Sequence, residues 1–161
     1  MDAIAEKMRV IEWSYGDKDP AALAILKGRI AEVGRNLKLI TYGDLVRGVE
    51  FHLPNIRGGE AYQIRVYDWS GLDRAIIGDF LGRVSTDSYL EAGFMASALV
   101  VNKGEYKPSW HFFDWMHSLD VLPNLSEDTI LAFWADQVNK AHKWYSSRRG
   151  TPEAAQIVPP R

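Results

Sequence analysis

Cysteine is absent from the sequence, which excludes a disulfide scaffold, Cys-ligated zinc, iron–sulfur clusters and thiol catalysis. Long apolar runs are absent too. The longest stretches, such as Ala96 to Val101 broken only by Ser97, fall far short of the roughly 20 residues a membrane helix needs. Met1 to Val10 carries Asp2, Glu6, Lys7 and Arg9 and so lacks the apolar centre of a signal peptide. The lack of a membrane-length run and of a signal peptide predicts a soluble cytoplasmic protein with no membrane partner, to which the missing cysteine adds nothing. Neither sign of charge dominates: 19 Lys and Arg face 21 Asp and Glu, a net of −2. That excludes a polybasic nucleic-acid binder and an acidic tail protein. No Gly-rich phosphate loop or dinucleotide fingerprint occurs, so nucleotide enzymes have no support.

What remains is ordinary in bulk and unusual in one respect. The 161 residues suit one domain, with 47% hydrophobic and 25% charged side chains, and six are tryptophan. Asp19-Pro20 is a helix start, since Asp accepts an orphan N–H and Pro at the first position has none to lose. Leu23, Leu26, Ile30 and Val33 then recur at helical spacing to about Gly34. Leu37 to Ile40 predicts a short strand, and Thr41 with Asp44 resembles a capping box opening a second helix over about 42–49. Residues 51–69, with Pro54 and Gly58-Gly59, read as loop with an alternating stretch from Tyr62 to Asp68.

A third helix starts at Ser70 or Gly71, runs through Leu72, Ile76, Ile77, Phe80, Leu81 and Val84 to about Glu91, and stops at Gly93. Met95 to Val101 predicts a buried strand, Asn102-Lys103-Gly104 a turn, and Trp110 to Trp115 the returning strand of a hairpin. Ser126, followed by Glu127 and Asp128, caps a last helix bearing Leu131, Trp134, Val138, Ala141 and Tyr145. A single domain over 1–146 and a disordered polar, Pro-rich tail over 147–161 follow.

Helix, short capped helix, longer helix, then hairpin is the winged-helix order. The string Ile40-Thr41-Tyr42-Gly43-Asp44-Leu45 resembles the "ITYGeLA" start of the DNA-binding domain of alkylguanine-DNA alkyltransferases and alkyltransferase-like proteins. Gly78 to Arg83 is similar to their recognition-helix segment. Their Pro-Cys-His-Arg motif, or its Trp-for-Cys form, is replaced by Ser97-Ala98-Leu99-Val100-Val101, which excludes alkyl transfer. Over residues 40–145 the chain also resembles a set of uncharacterised bacterial proteins with an "ITYgeLa … lsalVVnk … FF … FW" pattern. The resemblance implies an α+β, helix-dominated fold: a winged-helix-like core with a β-hairpin and an extra C-terminal helix. It implies no activity and no cofactor.

Three functional readings follow from the residues. As a non-catalytic binding or adaptor module, the chain would meet a protein partner or a second copy of itself through Tyr106, Trp110, Phe112 and Trp115. On a strand Trp115 has opposite parity to Trp110 and Phe112, leaving one aromatic face for that partner. As a winged-helix DNA-binding protein it would use Thr41, Tyr42, Arg74, Arg83, Lys103 and Lys107. Against that alternative, residues 51–120 hold 9 acidic and 6 basic residues, a net of −3, and Asp73, Asp79, Asp87 and Glu91 outnumber Arg74 and Arg83 on the third helix. As a metal-dependent nuclease or hydrolase, the most distant reading, it would draw on Glu105-Tyr106-Lys107 or on His111, Asp114 and His117. Neither set reaches the three or four converging ligands of a metal site, so no metal and no catalytic residue is assigned.

Overall fold

A computed structural model describes residues 2–148, so Met1 and the expected tail from 149 onward lie outside the described residues. The chain is helix-dominated α+β. Helix α1 spans Ala3–Arg9, α2 Pro20–Arg35, α3 Tyr42–Val46, α4 Gly71–Ala92, α5 Trp110–Ser118 and α6 Glu127–Ser147. Strands β1 (Ile40–Thr41) and β2 (Val100–Val101) pair in parallel, Ile40 opposite Val100 and Thr41 opposite Val101. No helix among the described residues is long and apolar enough to cross a membrane.

The helix boundaries follow local chemistry. Asp19 caps α2 by accepting from Ala22 N at 3.0 Å, and its other oxygen accepts from His52 N at 2.7 Å. One buried carboxylate thereby ties residues 51–53 to α2. Ser70 and Asp73 form a reciprocal capping box on α4, and Asp73 also accepts the Tyr62 hydroxyl at 2.6 Å. Gly93, with φ of 79°, ends that helix in the left-handed conformation that glycine adopts without penalty. Arg29 stops α3 from outside: its Nη1 donates to the carbonyls of Leu45 and Arg47, both at 2.9 Å.

The core has two parts. The larger joins α2, α4 and residues 45–56, with Leu26, Ile30, Leu45, Phe51, Ile76 and Phe80 fully enclosed. Helix α6 packs across it, close enough at Gly34 that a Cβ there would lie 2.4 Å from the Tyr145 ring. The smaller gathers Met8, Met95, Ala98, Phe113 and Met116 beneath Phe133 and Trp134.

Residues 94–101 run between these parts and are buried throughout. Instead of a strand from Met95 to Val101, a 3-10 turn over Ala96–Leu99 leads into β2. Three successive N–H groups find side chains: Met95 donates to Gln137 Oε1 at 2.7 Å, Ala96 to Ser88 Oγ at 2.9 Å, and Ser97 to Ser85 Oγ at 2.9 Å. Trp134 Nε1 donates to the Ala98 carbonyl at 2.9 Å. Burial without a neighbouring strand is possible here because helices on two sides supply the partners.

The expected β-hairpin does not form. Residues 110–118 are helical, and β2 pairs with β1 instead of with a returning strand. Phe112, Phe113, Met116 and Leu119 are its buried positions, at i, i+1, i+4 and i+7, a helical period hidden inside an almost wholly aromatic run. The alternation from Tyr62 to Asp68 makes one isolated bridge, Phe51 to Tyr62, and no strand.

Removing the Ser88 hydroxyl leaves the Ala96 N–H buried and unpaired. Ser88→Ala is expected to cost about 1–3 kcal/mol in urea unfolding, the usual penalty for an orphaned buried donor. Asn139→Ala, at an exposed site on α6, is expected to stay within about 0.5 kcal/mol of the parent.

Candidate functional site

One open groove of about 1360 Å3 lies between α3, the outer face of α4, the turn after β2 and the start of α5. Its floor along α4 runs from Arg74 to Gly82, with Ala75, Gly78 and Asp79 at the surface and Ile77 and Leu81 buried beneath. Trp13, Val66, Tyr67 and Trp69 form one side of the lining, with Tyr106, His111 and Trp115 contributed by the turn and α5. Arg47 and Lys103 also face it.

Each wall is held by a specific contact. The Asp79 carboxylate accepts from Tyr15 N at 2.7 Å and Gly16 N at 2.6 Å, strapping residues 13–16 onto α4. The Trp13 ring then lies on Gly82, where a Cβ would stand 2.7 Å from the indole. Only glycine permits that approach. Trp69 is oriented by its Nε1, which donates to the Val66 carbonyl at 3.0 Å. The Tyr42 hydroxyl accepts from Ser109 N at 2.9 Å and so joins α3 to α5. Burial pushes the Tyr42 phenol above its ordinary pKa, so the hydroxyl stays protonated near neutral pH. Beyond β2 the chain closes a turn, Asn102 N donating to the Lys107 carbonyl at 2.8 Å, with Gly104 at φ of 96°.

Four of the six expected DNA-binding residues meet here: Thr41, Tyr42, Arg74 and Lys103. Two of them are already committed, Tyr42 to Ser109 and Thr41 to capping α3 through Asp44 N at 3.2 Å. Arg83 is elsewhere, paired with Asp87 at 3.0 Å, and Lys107 does not line the groove. Of the expected partner surface, Tyr106, Phe112 and Trp115 line the groove. Trp110 is 60% exposed outside it. Phe112 is only 8% exposed and packs mainly in the smaller core, so it offers the groove little ring surface. On a helix the strand-parity division of Trp110, Phe112 and Trp115 does not apply.

The histidine and nuclease sets are not assembled. His111, Asp114 and His117 are exposed on α5, and six helical residues turn the two rings about 120° apart rather than onto one face. Glu105 lies in a turn, its nearest recorded partner being Asn102 Nδ2 at 3.5 Å. No group of three or more His, Asp or Glu placed to hold a metal occurs among the described residues.

Charge in the groove differs from the charge of the sequence around it. Asp73 is buried in its cap, Asp79 is spent on two backbone N–H groups, and Asp87 is shared by Lys27 at 2.5 Å and Arg83. Arg47 pairs with Asp44 at 3.1 Å. Arg74 and Lys103 have no carboxylate within 4.0 Å among the described residues. The groove lining therefore holds three cations, Arg47, Arg74 and Lys103, against two carboxylates, Asp44 and Asp79, although residues 51–120 are net acidic. Sequence reasoning missed Trp13, Tyr67 and Trp69; the only signal at Trp13 and Trp69 was tryptophan just outside a predicted helix, and Tyr67 lay in the alternating stretch from Tyr62 to Asp68.

Asp79→Ala is expected to release the strap, raising amide exchange at Tyr15 and Gly16 while α2 amides keep their protection. Gly82→Val is expected to displace Trp13, seen as a shift of its indole N–H resonance, at a stability cost of about 1–3 kcal/mol.

Comparison with family models, with curated proteins and with solved structures returns no match to this chain.

Proposed function

We propose that the protein is a non-catalytic binding module whose ligand seat is this groove. One observation carries the reading: Tyr67, 84% exposed, and Tyr106, 60% exposed, stand on the same groove as Trp13, Trp69, Arg74 and Lys103. Large exposed rings beside unpaired cations are a contact surface, because a solvated tyrosine contributes little to folding. Three of the hydroxyls lining the groove are engaged structurally: Thr41 caps α3, Tyr42 holds Ser109 N, and Ser97 shares a 2.6 Å bond with Ser85. Trp110 extends the aromatic surface beyond the groove and favours a macromolecular partner, including a second copy, over a small molecule.

A winged-helix-like core belongs to the same reading. Supporting it are the order α2, β1, α3, α4, β2, and the place of Ile40–Leu45 across β1 and the start of α3. The turn over 102–107 would stand where the wing is expected. DNA binding is the second reading, favoured by the convergence of Thr41, Tyr42, Arg74 and Lys103 on one groove.

Indole N–H resonances test the seat directly. In titrations with labelled duplex DNA, a single-stranded oligonucleotide and an acidic aromatic peptide, at least one probe is expected to shift the Trp13, Trp69 and Trp115 signals and leave Trp144 unchanged. Shifts confined to Trp110, or none with any probe at low salt, would overturn the groove as the seat. Sedimentation velocity over a range of concentrations reports the second copy.

A further inference from the structure

We infer that the groove takes single-stranded nucleic acid, with unpaired bases stacked on its aromatic rim and phosphates at Arg74 and Lys103. This rests on the groove being the ligand seat and adds the chemical class of the ligand.

Size gives the first indication. About 1360 Å3 exceeds the roughly 300–1,000 Å3 of small-molecule pockets. An open groove of that extent suits a chain. Its lining then separates the kinds of chain. An extended peptide adding to a sheet needs a strand edge several residues long, but β1 and β2 are two residues each and offer too short a template. An amphipathic helix needs an apolar floor, whereas the apolar α4 residues of the lining, Ile77 and Leu81, are buried and Arg74, Ala75, Gly78 and Asp79 are the ones that reach the surface. Duplex DNA needs many phosphate contacts, and only Arg74 and Lys103 are uncompensated while Arg47 is shared with Asp44.

Single strands ask for less charge and more ring surface. Base stacking on aromatic side chains is tolerant of sequence, because every base has a π-face, and a short cationic track suffices for the backbone. Tyr67 and Tyr106 offer exposed rings, and Trp13 and Trp69 offer rings already fixed in orientation. At Gly78 no atom lies within 4 Å of where a Cβ would be, so a flat ring can approach the α4 backbone. The charges match as well: Arg47, Arg74 and Lys103 outnumber Asp44 and Asp79 in the lining, so a polyanion meets a net positive groove although the whole chain is net −2.

Fluorescence anisotropy with a labelled oligothymidylate of about ten nucleotides tests this, within the site sizes of single-strand binders. Binding is expected, with log K falling against log salt at a slope of about −1.4 to −2, as two to three phosphate contacts on a single strand require. Tyr67→Ala and Arg74→Ala, both at exposed positions, are each expected to weaken binding about ten-fold or more, and Lys143→Ala on α6 to leave it unchanged.

Tighter binding of the matching duplex, with a steeper slope, would overturn the single-strand assignment in favour of DNA. Binding of an acidic aromatic peptide that shifts Trp13 and Trp69, without binding of the oligonucleotide, would overturn the ligand class and keep the groove. Oligonucleotide binding that Tyr67→Ala and Arg74→Ala leave intact would overturn the placement. Failure of every probe at low salt would remove the groove reading itself.

Discussion

The buried passage of residues 94–101 constrains everything around it. A chain crossing the interior must satisfy each N–H and C=O, and here side chains supply the partners that the 3-10 turn and the two-residue strand do not. Ser85 and Ser88 on α4, with Gln137 and Trp134 on α6, meet that demand. Ser88 is the most heavily used, accepting from Ala96 N while donating to the carbonyl of Phe94 at 2.7 Å. Because these partners sit on two helices, the passage fixes α4 and α6 relative to one another. Its exit as β2 sets the register of β1 and hence the start of α3 one residue later. The turn that carries Lys103 and Tyr106 into the groove follows directly. A polar network at the centre thus decides the position of a surface site.

The acidic residues of α4 have a related role. Counted along the sequence they oppose any polyanionic ligand. In the fold Asp73 caps its own helix, Asp79 holds residues 15 and 16, and Asp87 is shared by two cations. Asp87's charge is met by the two cations it bridges and Asp73 is turned into its own buried cap, while Asp79 keeps its charge with its oxygen occupied by two N–H donors. A net charge taken over a segment cannot register this, since it weighs a capping aspartate and a solvent-facing one equally.

What the sequence made legible divides along the same line. Helices with local signals were readable: Asp19-Pro20 for α2, Ser70 and Gly93 for α4, and Ser126 for α6 all act as caps or stops. So was the α+β, helix-dominated class. The hairpin was misread because both its supposed strands lacked discriminating periodicity. Met95 to Val101 is apolar throughout, and its true conformation is set by Ser85, Ser88 and Gln137, which are distant in sequence. Trp110 to Trp115 is aromatic on nearly every side, so its helical period shows only once Phe112, Phe113 and Met116 are known to be buried. Arg74, Lys103, Tyr106 and Trp115 were readable as surface candidates, but not that they share one groove. Trp13 and Trp69 join it through Gly82 and Val66, contacts with no local signature.

The groove's own construction bears on how tightly it can hold a ligand. Trp13 is pressed onto Gly82 beneath a strap held by Asp79, and Trp69 is fixed by its indole hydrogen bond. Tyr42, braced by Ser109, keeps α3 and α5 at a set spacing. Rings immobilised in the free protein lose little further freedom when a ligand stacks on them, whereas each ring ordered on binding costs about 0.5–1.5 kcal/mol. Tyr67 and Tyr106 have no such ties among the described residues and stand mostly in solvent. Ordering is therefore concentrated in two tyrosines, and the remaining walls act as a preformed template. For the single-stranded ligand proposed above, this division means that fixed rings supply a constant stacking surface while the two exposed tyrosines adapt to what lies on it.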